Sequence, residues 1–523
     1  MNRILRREFL KISGACGVGM ASWPLSRTAA GQHAAQQSRP NILVFLTDDH
    51  GQWAQHAYGN SELLTPNLDR LAARGTRMTQ GFTPCPVCSP ARASFFTGRM
   101  PSQHGIHDYL EEKTYEMAHP WLENQNLIGE LLRDAGYHTG LVGKWHCGHT
   151  QEPHPGFDRW FSYWDTQYPH YGVQRFSDQG HFLIEQGQQS PFLTRRAIDF
   201  LQDHKRSHPD DGRPFFLFVG YADTHLPHDT APSDLVEAYH SATFRDIPKE
   251  ELPPCHGEAL LPVDRNTQIE QMKRMDYYAS VSSVDGEVGK VLAALEATGQ
   301  MENTLIVYTS DHGLNIGHHG MWEKGNGTLP QNFFDESIRV SCTLSWPAGG
   351  IRQNAICEDF VNHCDLWATL LDIGGATPNE KLATQINSPG RSYRAQLQGK
   401  KAEGWRQTII SEYGNARMAR NGRYKLIRRY PYDGVRFLNE LYDLETDPRE
   451  ATNRFGDPSL KKITEELTVE IERFFARYTV PGHDGLDLAH QWACTPLSPW
   501  IVAAQLRKQG KMPAACVRLL DKI

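Results

Sequence analysis

The side chains best suited to chemistry fall in short clusters separated by long ordinary stretches: Asp48-Asp49, Cys88 with Arg92, Lys144 with His146, His225 and Asp311-His312. Asp48, Asp49 and Asp311 are hard oxygen donors. Without a Cys-rich cluster beside them, they suit Ca²⁺, Mg²⁺ or Mn²⁺. Cys88 stands just before Ser89-Pro90. Pro is favoured at the first position of a helix and Ser just ahead of it, so a helix over about 90–96 is expected, ended by Gly98. Cys88 would lie at its mouth, where free N–H groups and a partial positive charge suit an anion. Arg92 would add a fixed positive charge there. The chemistry this suggests is an anion held over a reactive side chain.

These clusters need elements to bring them together. Four apolar runs, at 41–46, 137–142, 213–220 and 304–309, read as strands buried on both faces. Asp48/Asp49, Lys144/His146, His225 and Asp311/His312 follow their carboxyl ends. Helical spacing appears at 65–75, 126–135, 194–204 and 276–298. The alternation predicts an α/β fold with a large, mostly parallel sheet flanked by helices. Ligands bind at the carboxyl ends of such strands, so one shared site is expected. Residues 153–190, rich in aromatics, Gln and His without a clear period, read as a surface excursion. The Pro-rich stretch 230–263 reads as loop. After about 377, strand-like runs at 408–413, 424–428 and 440–444 precede a helix at 460–478. They predict a smaller antiparallel sheet with a covering helix that closes one wall of the site. The expected divisions are 1–37, 38–385 and 386–523.

The chain has 523 residues, net charge −7 and no long Lys/Arg run, which argues against nucleic acid as the main partner. Arg6-Arg7-Glu8-Phe9-Leu10-Lys11, the short apolar run 12–25 and the small residues Ala29-Ala30 read as a twin-arginine export signal. The run is too short to span a membrane. A periplasmic or secreted protein is expected, handed to the twin-arginine machinery. The ten cysteines are scattered rather than framework-like. Cys85 and Cys88 form a Cys-x-x-Cys, but no second pair supports zinc, so Cys85 reads as a structural neighbour.

Cys88-Ser89-Pro90-Ala91-Arg92, followed by Thr97-Gly98-Arg99, closely resembles the motif of the sulfatase family. Leu46-Thr47-Asp48-Asp49, Gly143-Lys144-Trp145-His146, Ser310-Asp311-His312-Gly313 and Trp322-Glu323-Lys324-Gly325 match in the family's order, over roughly 38–345. The run 440–448 resembles its C-terminal subdomain. The resemblance implies an alkaline-phosphatase-like fold and a sulfuric ester hydrolase acting on a sulfate ester, in all expectation of a carbohydrate. It implies that a maturation enzyme converts Cys88 to Cα-formylglycine, whose hydrate attacks sulfur. Asp48, Asp49, Asp311, His312 and the modified Cys88 would surround the metal, Ca²⁺ with Mg²⁺ or Mn²⁺ as alternatives. His312 stands where the family often has Asn. Arg92, Lys144 and Lys324 would hold the sulfate charge, and Asp49 or Asp311 would help deprotonate the attacking diol. His225 with Lys324 would serve the leaving oxygen, and His146 would deprotonate the second hydroxyl. His228 competes with His225. His104, His318 and His319 read as structural or substrate-facing, and the aromatics of 157–171 as able to stack on a sugar. A phosphonate monoester or phosphodiester hydrolase shares these motifs and is the alternative.

Overall fold

In a computed structural model, residues 39–521 are described, apart from 112–114, 116, 166–169, 210–211, 229, 249–250 and 264–266. The expected export signal lies outside the described residues. Those from Arg39 onward form one compact unit.

Its centre is β1 (Asn41–Thr47), buried at every position. Ile42, Val44 and Leu46 enter one hydrophobic core, while Leu43 and Phe45 enter a second on the other face. A strand covered on both sides has no polar face to offer, which is why its sequence is a continuous apolar run. The sheet is completed by β2 (Thr76–Met78), β3 (His138–Gly143), β4 (Arg159–Tyr163), β5 (Val173–Asp178), β6 (His181–Gln186), β7 (Phe215–Gly220), β8 (Thr304–Ser310), β9 (Cys342–Ser345) and β10 (Ala355–Cys357). The order is β10-β2-β9-β8-β1-β7-β3-β4-β5-β6. The five central strands, β8-β1-β7-β3-β4, are mutually parallel. Antiparallel β9 joins one side and the β5–β6 meander the other. The mostly parallel sheet is therefore as expected, but residues 153–190 are not a surface excursion: they contribute three of its strands.

The helices that matter for the site are α1 (Pro66–Ala73), α2 (Cys88–Thr97), α3 (Gln189–Ser207), α4 (Thr267–Ala297) and α5 (His363–Ile373). The stretch read as Pro-rich loop also holds a short helix at Ser233–Ala238. The C-terminal antiparallel sheet has four strands, β11 (Ile409–Tyr413), β12 (Ala416–Arg420), β13 (Tyr424–Arg429) and β14 (Glu440–Asp443), in sequence order. Leu467, Ile471 and Phe475 of α6 (Lys461–Tyr478) cover it. Among the described residues no helix is long and apolar enough to cross a membrane.

Candidate active site

Register decides which residues meet. Thr47 pairs with Ser310 across β1 and β8, so Asp48 and Asp311 leave the sheet at the same level. The ladder runs one residue further, because Asp311 N–H donates to Thr47 O at 3.1 Å and Asp48 N–H to Tyr221 O at 3.1 Å. Lys144 leaves β3 in the same way, its N–H on Gly220 O at 2.9 Å. Asp49 and His146, the residues just past two of these strands, have φ of 49° and 56°. Both are non-glycine residues in the left-handed region, which costs of order 1 kcal/mol each. The strain falls where side chains must be aimed.

Cys88 is the first residue of α2 rather than the residue before it. The extended cap conformation is taken by Val87 (φ −149°, ψ 148°), which makes no side-chain cap. Ser89 is buried, and its hydroxyl accepts from Leu110 N–H at 3.0 Å instead of capping the helix. Gly98 ends α2 with φ 68°, as expected. A Cβ there would lie 2.4 Å from the Trp367 ring on α5. We expect Gly98→Ala to lower stability by roughly 2–4 kcal/mol, from strain plus overpacking, read by denaturant unfolding. A change under about 0.5 kcal/mol would show that α5 yields freely.

Around Cys88 the charges interlock. Arg92, wholly buried, donates from Nε to Asp311 Oδ2 and from a terminal nitrogen to Lys144 O, both at 2.9 Å. Lys144 Nζ donates to Asp48 Oδ2. Lys324 arrives from the loop after Trp322-Glu323. Its Nζ donates to both oxygens of Asp49, at 2.7 and 2.9 Å. Gly325 N–H fastens that loop to Pro86 O, two residues before Cys88. His225 Nε2 lies 3.9 Å from Asp49 Oδ2, and His146 Nε2 pairs with Leu110 O at 2.9 Å. His312 is fully buried, with ring nitrogens 3.3–3.7 Å from Asp48, Asp49 and Asp311. All residues of the expected site thus come together.

The electrostatics follow. Burial alone would raise the Cys88 thiol, but Lys144 and Lys324 hold it well below its usual range. Asp48 is likewise depressed despite its burial, chiefly by Lys144. Burial and the adjacent Asp48 push Asp311 up to about 7. Asp311 in turn overcomes burial to raise His312 to about 9. The raised values of Asp311 and His312 mark the corner of the cluster where negative charge is least compensated.

The donors fit a cation. Ligand atoms of Asp48, Cys88, Asp311 and His312 all lie within 4.8 Å of one another. Asp48 Oδ1 and His312 Nε2 are buried, make no hydrogen bond and face each other at 3.7 Å. Asp49 stands beside this group with its oxygens on Lys324.

His104, His318 and His319 are buried and bonded locally, to Ser94, to Asp246 O and to Glu336. His228 packs between Tyr277 and Trp322, farther into the wall than His225. His170 was missed: it is 1% exposed, and its ring centroid lies 6.4 Å from that of His225. Its only sequence signal was its place in an aromatic-rich stretch. Tyr277, whose hydroxyl donates to Asp49 O at 2.9 Å, gave no signal beyond helical spacing.

A family model described as Sulfatase matches residues 40–376, well over half of the chain. The chain belongs to the sulfatase family. A second model, N-sulphoglucosamine sulphohydrolase, C-terminal, matches residues 317–477 of this sulfatase, spanning the last of the active-site loops and the C-terminal sheet. An N-acetylglucosamine-6-O-sulfatase of Bacteroides thetaiotaomicron is 26% identical, over 86% of this chain and 89% of the relative. A solved structure of a protein in complex with its substrate D-glucosamine-2-N,6-O-disulfate has the same fold (TM-score 0.71, 23% identity, 84% of this chain and 98% of that one). The phosphonate monoester hydrolase of Agrobacterium radiobacter shares it too (TM-score 0.66, 20% identity, 85% and 97%). The fold is thus the alkaline-phosphatase-like one expected, and the protein is a sulfuric ester hydrolase, of a family that works with formylglycine and a divalent metal.

Proposed function

We propose that this sulfatase removes sulfate from a carbohydrate, using Cys88 in its formylglycine form, and that it works in the periplasm after twin-arginine export. The observation that carries this reading is the gathering of three carboxylates, Arg92, Lys144, Lys324 and two histidines around the side chain at the start of α2. The hydrate of the aldehyde would supply one hydroxyl for attack and a second whose ionisation expels sulfate. A plain thiol offers only the first. Asp48, Asp49, Asp311 and His312 would hold Ca²⁺, with Mg²⁺ or Mn²⁺ as alternatives, and the ion would supply Lewis-acid charge beside the sulfuryl oxygens.

The chain's own groups do the rest. Arg92 and Lys144 face the ester with fixed positive charge in a dry site, where such charge acts strongly. Lys324 and His225 meet at Asp49, on the side where the leaving oxygen would emerge. Burial and Lys324 would lower His225, but Asp49 and Asp48 raise it, so it keeps a proton to donate. His146 is held lower by burial and Lys144, which leaves its ring neutral and able to accept a proton from the second hydroxyl. We read residues 38–385 as the part that carries this machinery and 386–523 as the part that walls it.

The Bacteroides relative is named for 6-O-sulfated N-acetylglucosamine, and the solved structure holds a glucosamine with a 6-O-sulfate, so 6-O-sulfated N-acetylglucosamine is the first substrate to try. Sulfate release from it should exceed hydrolysis of phenyl phosphonate by at least ~100-fold in kcat/KM, a transition-state difference of about 3 kcal/mol. A faster phosphonate reaction would establish the alternative, which its fold permits. Metal removal is a second test. Exhaustive chelation should cut kcat at least ~100-fold and lower Tm, and added Ca²⁺ should restore both. Full activity after verified metal loss would refute a role for the cation.

A further inference from the structure

A second cluster lies at the other end of the sheet. His138 opens β3, six residues before Lys144, so the two are about 20 Å apart along the strand. His204 sits in the last turn of α3 and His208 four residues on, at its end. Residues four apart on a helix share a face, and here that face meets the start of β3. Ring nitrogens of the three histidines all lie within 4.8 Å of one another. His138 Nδ1 and His204 Nδ1 are 3.1 Å apart.

We propose that His138, His204 and His208 bind a first-row transition-metal ion, Zn²⁺ fitting best, at a site separate from the active-site cation. Two ligands on a tetrahedral Zn²⁺ with N bonds of 2.0–2.1 Å stand about 3.3 Å apart, close to the separation of the His138 and His204 nitrogens. Three imidazoles and no obligatory carboxylate select Zn²⁺, Cu²⁺ or Ni²⁺ over Ca²⁺. A ligand must be neutral, and burial holds His138 down to about 4. Two facing Nδ1 atoms need one proton between them, and a metal ion would replace it. His204 is 1% exposed, whereas His138 and His208 border an open cleft of about 360 Å³ that leaves a fourth position to water or a carboxylate. Asp158 and Asp203 line the cleft and pair with its arginines: Arg213 with Asp158 at 3.6 Å, Arg159 and Arg206 with Asp203 at 3.8 and 2.5 Å. An incoming cation therefore meets three arginines of which two carboxylates offset two charges, with one positive charge left over.

The competing account is a stack that binds nothing. His138 lies flat against Phe200, with centroids 4.7 Å apart, and over His204 at 5.3 Å. Metal analysis of the whole protein separates the two. Chelated enzyme is re-equilibrated with excess Ca²⁺ to fill the active site, then with Zn²⁺, and freed of unbound metal by gel filtration. One Zn²⁺ per chain is expected, with a raised Tm. His208→Ala and His138→Asn should each weaken Zn²⁺ at least ~100-fold, while sulfatase activity stays within about twofold since neither residue belongs to the active site. Co²⁺ in place of Zn²⁺ should give the intense visible bands of a four-coordinate ion, lost in His208→Ala. Wild-type protein holding no more Zn²⁺ than His208→Ala, or both variants binding like wild type, would overturn the site.

Discussion

Replacing Cys88 with alanine should abolish sulfate-ester hydrolysis, by about 10⁵-fold or more in kcat, the scale seen when a covalent nucleophile is removed. The fold should tolerate the change. Alanine is a good helix former, and Cys88 provides no cap for α2. Initial rates on nitrophenyl sulfate, with Tm as the control for folding, make the measurement. A variant within 100-fold of wild type would remove Cys88 from the chemistry. Protein carrying an unmodified thiol should be nearly as inactive as the alanine variant. Against its burial, Lys144 and Lys324 shift that thiol towards the thiolate, and a thiolate in this place would ligate the metal rather than turn over. Mass spectrometry of the peptide containing Cys88 reports which form is present: the aldehyde is expected in active preparations. Activity from protein with only the thiol would exclude the formylglycine mechanism.

The second large effect is expected at Arg92. Arg92→Leu strips Asp311 of its buried partner, at 2.9 Å, and leaves Lys144 O without its donor. Breaking a buried pair from one side costs about 3–5 kcal/mol. The loss of fixed charge at the sulfate should lower kcat/KM a further ~10²–10³-fold. Arg92→Lys should recover little of either, because an ammonium on a flexible stem does not reproduce two directed bonds from one planar group. Urea unfolding and steady-state kinetics test both effects. Stability within 1 kcal/mol of wild type would show that His312, 3.5 Å from Asp311, suffices to compensate it.

The parts legible in the sequence were those that physics makes unambiguous. The four apolar runs end within about a residue of β1, β3, β7 and β8, since strands buried on both faces are apolar through their middles. With the strand ends known, the acidic and basic clusters were already aimed at one place. The meander β5–β6 was not legible. Val173, Phe182 and Ile184 point outward and are half exposed, so no single apolar face marks those strands. Strand β12, buried but written Ala-Arg-Met-Ala-Arg, hides because its two arginines are satisfied by acids far along the chain, Asp484 and Asp335. The start of α2 was misplaced by two residues because Ser89-Pro90 is a good capping signal, and Val87 took the extended conformation instead. The union of Lys324 with Asp49 spans 275 residues. Only the fold supplies that contact, although the resemblance to sulfatases put both residues in the same site.

Strand β11 passes directly over the approach to α2. Ser411 Oγ donates to Thr83 O at 2.7 Å, Glu412 N–H donates to Pro84 O at 2.9 Å, and Glu412 accepts from Ser102 N–H at 2.8 Å. These contacts bracket α2, whose every residue is buried. An oxidising maturation enzyme would find no Cys88 to grip once they form. On the proposed mechanism, the conversion of Cys88 therefore has a deadline set by the ribosome. About 320 residues separate Cys88 from β11, so at 5–20 residues per second the window lasts roughly 15–60 s. On that mechanism the C-terminal sheet would act as a clock as well as a cover.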